Sequence, residues 1–240
     1  TLILCTGITS VTVRAREAAA KLTKRVADLA PDATHGLHHQ LSRFLLSRLL
    51  IMTAITSFPT YSLFYLRDSV GLENPAESLS KMVLAVGASL AFTVYPAGWI
   101  SDHIGRKPVI LAGAVGACCS AIWLLRADSA IDVMIIASFL GASIGALLSS
   151  NWALANDLGT SGREGAHMGV VNLATTGGAA AAKLMGPGID LLNRISDGRG
   201  YDALLITSAA LFLLGAVLLM PLKVEPAGAL SQAQSGEDAR

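Results

Sequence analysis

The chain has 240 residues, 52% of them hydrophobic and 15% charged, with a formal net charge of +1 and a mean hydropathy of +0.56. Its apolar residues fall in long blocks, which excludes an ordinary soluble domain and places the chain in the membrane class. The near-neutral charge gives no footing for nucleic acid, and three cysteines, two of them the adjacent Cys118 and Cys119, exclude a disulfide framework.

The first thirteen residues, TLILCTGITSVTV, are apolar but shorter than the roughly 20 needed for a crossing. They lack the charged leader and cleavage site of a signal peptide. They read as the end of a truncated helix, and the chain is expected to be a fragment of a longer protein. Residues 14–43 read as a basic cytoplasmic linker with one amphipathic helix ending near Pro31. His35, His38 and His39 lie there without Cys or carboxylate at ligand spacing, so a polar loop is preferred to a metal site.

Six crossings are predicted next, over 44–66, 82–100, 109–125, 131–155, 167–192 and 203–222. The fifth is the weakest by hydropathy because it holds Gly, Thr and Lys183. Residues 223–240 are small and polar and are expected to be a disordered tail. The fold class is therefore an all-α membrane protein, a six-transmembrane-helix bundle. Gly141 with Gly145, and Gly165 with Gly169, are expected to let helices approach closely.

With alternating crossings, Arg14 to Arg25, Arg43, Arg48, Arg106, Lys107, Arg163, Lys223 and Arg240 fall on one side. Arg67, Lys81, Arg126, Arg194 and Arg199 fall on the other. The richer side is cytoplasmic by the positive-inside rule. The loop at Asp102 and the C-terminus are then cytoplasmic, and an integral protein of a bacterial inner membrane is expected.

Three crossings carry polar stripes at helical spacing. They are Thr53, Thr56, Ser57, Thr60, Tyr61 and Phe64 in the first; Ser138, Gly141, Gly145, Ser149, Trp152 and Asn156 in the fourth; and Asn172, Thr175, Thr176, Ala179, Lys183 and Asp190 in the fifth. Crossings three and six carry none and are assigned to lipid. Tight interhelical packing explains any one Ser or Thr, whereas three stripes together point to an aqueous cavity. Thr56, Thr60, Tyr61, Trp152, Asn172, Thr176 and Lys183 are the candidate lining, with hydroxyls and amides replacing water around a polar solute. Lys183, about 10 Å of helix inside an outer end at Asp190, would draw an anionic solute or serve in a transport cycle.

The stretch GWISDHIGRK, Gly98 to Lys107, joins the second and third crossings in a tight charged reversal. Gly98 permits close approach, Asp102 stands near a helix start, Gly105 supplies the turn, Arg106 and Lys107 sit at the membrane surface, and Pro108 opens the next helix.

This loop, in this place, resembles the signature of the major facilitator superfamily, and the chain from 1 to 222 resembles the C-terminal half of such a transporter. Gly98, Asp102, Gly105, Arg106 and Lys107 match the signature, while His103 replaces a basic residue. The resemblance implies half of a twelve-helix fold working against an N-terminal half absent from this chain. It also implies a cytoplasmic latch of Asp102, Arg106 and Asp157. FPTYSLFYLRDSVGL, NWALANDL and GPGID are loosely similar to glycoside-pentoside-hexuronide and sucrose-type cation symporters.

The expected function is secondary active transport of a small polar solute, a sugar or an organic anion, by alternating access with proton or sodium coupling. The alternative is a non-transporting receptor or assembly subunit on the same scaffold. No phosphate loop, serine elbow or metal-ligand set is present in the sequence, so neither an enzyme nor a cofactor is expected.

Overall fold

The computed structural model describes residues 35–158, 164–194 and 198–222. The expected truncated helix at 1–13, the amphipathic helix near Pro31 and the tail 223–240 lie outside the described residues. The chain divides between His39 and Gln40. Of the first unit only the opening of the first helix is described, and the helical bundle belongs to the second.

Seven helices run in order: α1 His35–Asp68, α2 Pro75–Ile104, α3 Arg106–Leu124, α4 Ala130–Asp157, α5 Glu164–Lys183, α6 Gly186–Asn193 and α7 Arg199–Leu219. Among the described residues there is no strand. Five helices (α1 from Gln40, with α2, α3, α4 and α7) are long and apolar enough to cross a membrane. α1 begins earlier than hydropathy suggests, because polar residues at the membrane surface can extend a helix without lengthening its apolar core.

The fifth predicted crossing is two helices. α5 ends at Lys183, Leu184 and Met185 form a turn, and α6 restarts at Gly186 with Pro187 in its first turn, a position where the missing proline N–H costs nothing. Lys183 therefore ends α5 and is exposed, which corrects the expectation of one continuous helix running through it to Asp190.

Local chemistry explains the other boundaries. Ser129 caps α4: its Oγ accepts the Asp132 N–H at 3.2 Å and donates to Asp132 Oδ2 at 2.6 Å. α2 starts on Pro75 and carries Glu77 in its first turn, where the helix dipole favours an acid. Between α2 and α3 only Gly105 intervenes, with φ +98°, a backbone that a side chain would strain. α3 opens on Arg106, so Pro108 lies within its first turn and does not start it.

α4 packs against both α2 and α3. A Cβ added at Gly141 would lie 2.6 Å from the Val86 carbonyl oxygen, and one at Gly145 would lie 2.9 Å from that of Leu90. The α4 and α2 backbones thus touch, as small residues in membranes allow. Gly98 continues this seam, since its added Cβ would meet Ser149 Oγ at 2.9 Å. The stripe read in the fourth crossing is in this region a packing seam with α2, which corrects its assignment to a water-lined face. Gly165 and Gly169 have open space around them, so no close helix contact explains them.

α1 is tied to α3 and α7 by side-chain hydrogen bonds. Ser47 Oγ donates to the Gly215 carbonyl at 2.5 Å and Ser57 Oγ lies 2.9 Å from Ser208 Oγ, both on α7. Tyr65 donates to the Leu124 carbonyl of α3 at 2.6 Å, and Tyr201 of α7 donates to Asp68 Oδ2 at 2.7 Å. These ties lie in two apolar clusters. One gathers Phe44, Ile51, Leu147, Leu154, Phe212 and Leu219, and the other Tyr65, Leu66, Val133, Ile136, Tyr201 and Leu204.

The apolar window of α2 is only 6% buried, against 50% for α3 and 44% for α7. Of these five helices α2 is the least covered, whereas α3 and α7, expected against lipid, each turn a face inward. A helix without polar residues suits a protein core and a lipid surface equally, so its composition cannot separate the two.

Candidate functional site

The hairpin between α2 and α3 brings three charges together. Asp102 lies in the last turn of α2, Arg106 begins α3, and Asp157 ends α4. Arg106 Nη1 donates to Asp102 Oδ1, and its Nε donates to Asp157 Oδ2 at 3.1 Å. The guanidinium is only 17% exposed, and each partner is a carboxylate, so the hydrogen bonds are charge-assisted. Lys107 takes a different partner: its Nζ donates to the Met220 carbonyl at 3.2 Å and to the Leu222 carbonyl. It closes the end of α7, where unsatisfied carbonyls favour a cation. His103, in the place of a basic residue, stacks on Trp99 at 4.4 Å and bonds the Trp99 carbonyl through Nδ1 at 2.8 Å.

A second charged group lies inside the bundle and corrects the sequence reading. Arg48, expected among the surface cations, is fully buried. Its Nη1 donates to Asn151 Oδ1 on α4, its Nε donates to Thr175 Oγ1 on α5 at 3.0 Å, and its guanidinium lies 4.1 Å from the Trp152 ring centroid. Among the described residues no carboxylate forms an ion pair with it. Burying a cation costs several kcal/mol even after relaxation, and a cation–π contact returns about 0.5–2 kcal/mol. Arg48 Nη2 and Asn151 Nδ2, both buried, have no hydrogen-bond partner, and an unmet buried donor costs about 1–3 kcal/mol. The group is rich in donors and short of acceptors. Nearby, buried His167 on α5 bonds the Ala155 carbonyl of α4 through Nε2 at 2.8 Å.

The expected cavity residues are distributed differently. Thr56 and Thr60, half-buried, return their hydroxyls to the carbonyls of Met52 and Thr56 on their own helix, each at 2.7 Å. Ser57 is spent on the α7 contact. Thr175 turns inward to Arg48, while Asn172 and Thr176 beside it are exposed, as is Trp152 in part. Tyr61 is held at the α5–α6 turn, its hydroxyl donating to the Ala182 and Lys183 carbonyls at 3.1 and 3.0 Å. Tyr61 and Lys183 are thus neighbours through the Lys183 backbone.

The family model of the Major Facilitator Superfamily matches residues 7–239. The chain belongs to the major facilitator superfamily. It is an all-α membrane transporter chain, and Asp102 and Arg106 of the network lie in its GWISDHIGRK stretch. None of the curated proteins compared with it matches.

Within this major facilitator bundle a cavity of about 320 Å³ opens between α1, α2, α3, α4 and α7. Ile55, Phe58, Tyr65, Met82, Val86, Leu90, Leu140 and Leu148 are among its lining residues, and the surface is almost wholly apolar. Of the seven expected cavity residues only Tyr61 lines it. Hydropathy could not reveal the cavity, because its lining residues resemble any membrane core. A signal for Arg48 did exist, since it interrupts the run FLLSRLLIM inside the predicted first crossing, where a charge marks function by default.

Proposed function

We propose that this chain forms the C-terminal half of a secondary active transporter that moves a small organic solute by alternating access. The protein would couple that movement to a proton or sodium gradient, and this bundle would rock against a second six-helix half. The observation that carries the reading is the Arg106 bridge between Asp102 and Asp157. It ties the α2–α3 hairpin to the end of α4 through side-chain ion pairs alone, which a cycle can break and remake without unfolding a helix. In this reading the network is a latch on the cytoplasmic side that closes the inner gate when formed. Gly98 and Gly105 provide the close contact and the sharp turn that bring Asp102 to it.

The solute site lies near the membrane midplane on this reading, as in transporters built from paired repeats. Trp152, Asn172, Thr176 and Lys183 would face the other half, with Thr56, Thr60 and Tyr61 behind them. An organic anion fits better than a sugar, because the bundle offers the cations Lys183 and Arg48 and few outward hydroxyls free of backbone bonds. The positive-inside distribution supports a cytoplasmic C-terminus in a bacterial inner membrane.

The test is accumulation in proteoliposomes of the full-length protein under an imposed proton or sodium gradient, with sucrose, glucuronate and benzoate as radiolabelled probes. Gradient-dependent uptake of any of the three above protein-free liposomes supports the reading. Uptake of none of them contradicts it.

A further inference from the structure

We propose that Arg48 and Asn151 form the head-group site for an organic monoanion whose apolar body lies in the cavity along their two helices. This assignment rests on the transporter reading and names its substrate class. Both side chains are fully buried, and both present an unpartnered donor, Arg48 Nη2 and Asn151 Nδ2. The Asn151 oxygen receives Arg48 Nη1, and no acceptor among the described residues reaches Arg48 Nη2. Thr175 Oγ1 accepts from Arg48 Nε and donates its own proton to the Val171 carbonyl at 3.1 Å. What the cluster lacks is negative charge and acceptor oxygen at once, and a carboxylate supplies both. A water or a neutral amide would meet the donors and leave the charge.

The cavity gives the rest of the ligand its character. Ile55, in its lining, lies two turns beyond Arg48 on the same face of α1, about 10 Å along the helix. Leu148, also in its lining, lies one turn before Asn151 on α4, about 4.5 Å along the helix. The apolar hollow and the donor cluster thus lie along the same two helices, and neither Arg48 nor Asn151 is among the hollow's lining residues. A wall of Phe58, Met82, Val86, Leu90 and Leu140 would leave sugar hydroxyls unpaired, a cost that excludes them. A carboxylate with an aromatic or short alkyl body satisfies both parts. Trp152, stacked on the guanidinium and 39% exposed, stands at the edge of the cluster where such an anion would enter.

The experiment is thermal unfolding of the full-length protein in detergent with acetate, hexanoate, benzoate or 2-naphthoate, each paired with its uncharged amide at equal concentration. The expected result is a rise in Tm with at least one of the three larger carboxylates, exceeding that with its amide and with acetate. In Arg48→Gln the apparent affinity for that carboxylate should fall at least tenfold. Asn151→Asp guards against a variant that fails to fold, because it places a carboxylate beside Arg48. It should fold at least as stably without ligand and lose the carboxylate response by the same factor. If no carboxylate outperforms its amide, if acetate does as well as the larger acids, or if Asn151→Asp responds as wild type does, the assignment is overturned. An Arg48 neutralised by an acidic residue elsewhere in the full-length protein would give the first of these outcomes. Proteoliposome uptake with no carboxylate-selective shift would refute the anion site and leave transport standing, whereas the shift without uptake would do the reverse.

Discussion

Arg106 Nε lies 3.1 Å from Asp157 Oδ2, and this single pair joins the hairpin after α2 to the far end of α4. The two residues are 51 positions apart in sequence, so the contact reports on how α3 and α4 sit together at this end of the bundle. Asp102, four residues before Arg106 across the Gly105 turn, meets the same guanidinium.

Loss of this bridge should affect transport far more than folding. Arg106→Ala and Asp157→Asn are each expected to lower the uptake rate about tenfold, equivalent to about 1.4 kcal/mol in the barrier. Stability should change by about 1 kcal/mol, the net contribution of a typical hydrogen bond. Initial rates of uptake into proteoliposomes, beside Tm in detergent, separate the two effects.

Lys107 belongs to the same signature and should behave in the opposite way. Its bonds go to the Met220 and Leu222 carbonyls just past the end of α7 and not to the carboxylates. Lys107→Met should lower stability by about 0.5–2 kcal/mol and leave the uptake rate of the folded protein within about twofold of wild type, a shift of under about 0.5 kcal/mol. Thermal unfolding and rates normalised to folded protein would check this.

The seam between α2 and α4 gives a packing prediction. Gly141→Ala would push a methyl to 2.6 Å from the Val86 carbonyl, and overpacking of this kind costs about 1–3 kcal/mol. Gly169→Ala, in open space within α5, should be neutral or stabilising by up to about 1 kcal/mol. Tm of the two variants in the same detergent should move apart accordingly.

Much of this architecture is legible in the sequence, and the exceptions share a cause. Long apolar runs mark α1 to α4 and α7, and GWISDHIGRK announces the hairpin because its glycines and charges act locally. Asp157 is legible only through family resemblance, since nothing near it in the chain points to Arg106. Arg48 misleads in sequence because a charge near the end of an apolar run looks like a surface anchor. What holds it inside is Asn151, 103 positions away, and Thr175, 127 away. The stripe on α4 reads as facing water because Gly and Ser serve equally in a tight seam, and only the distance to Val86 distinguishes them. The break after Lys183 is hidden because Gly and Pro are tolerated in membrane helices.

The most direct test of alternating access is whether one residue is reached from both sides of the membrane. Thr176→Cys in full-length protein lacking Cys5, Cys118 and Cys119 should react with a membrane-impermeant maleimide added outside, and separately with the same reagent sealed inside vesicles. Under alternating access both reactions proceed, and the outside reaction rises and the inside one falls when the inner latch is closed. Modification from one side only, or from neither, would contradict the claim that this bundle lines a carrier's solute path.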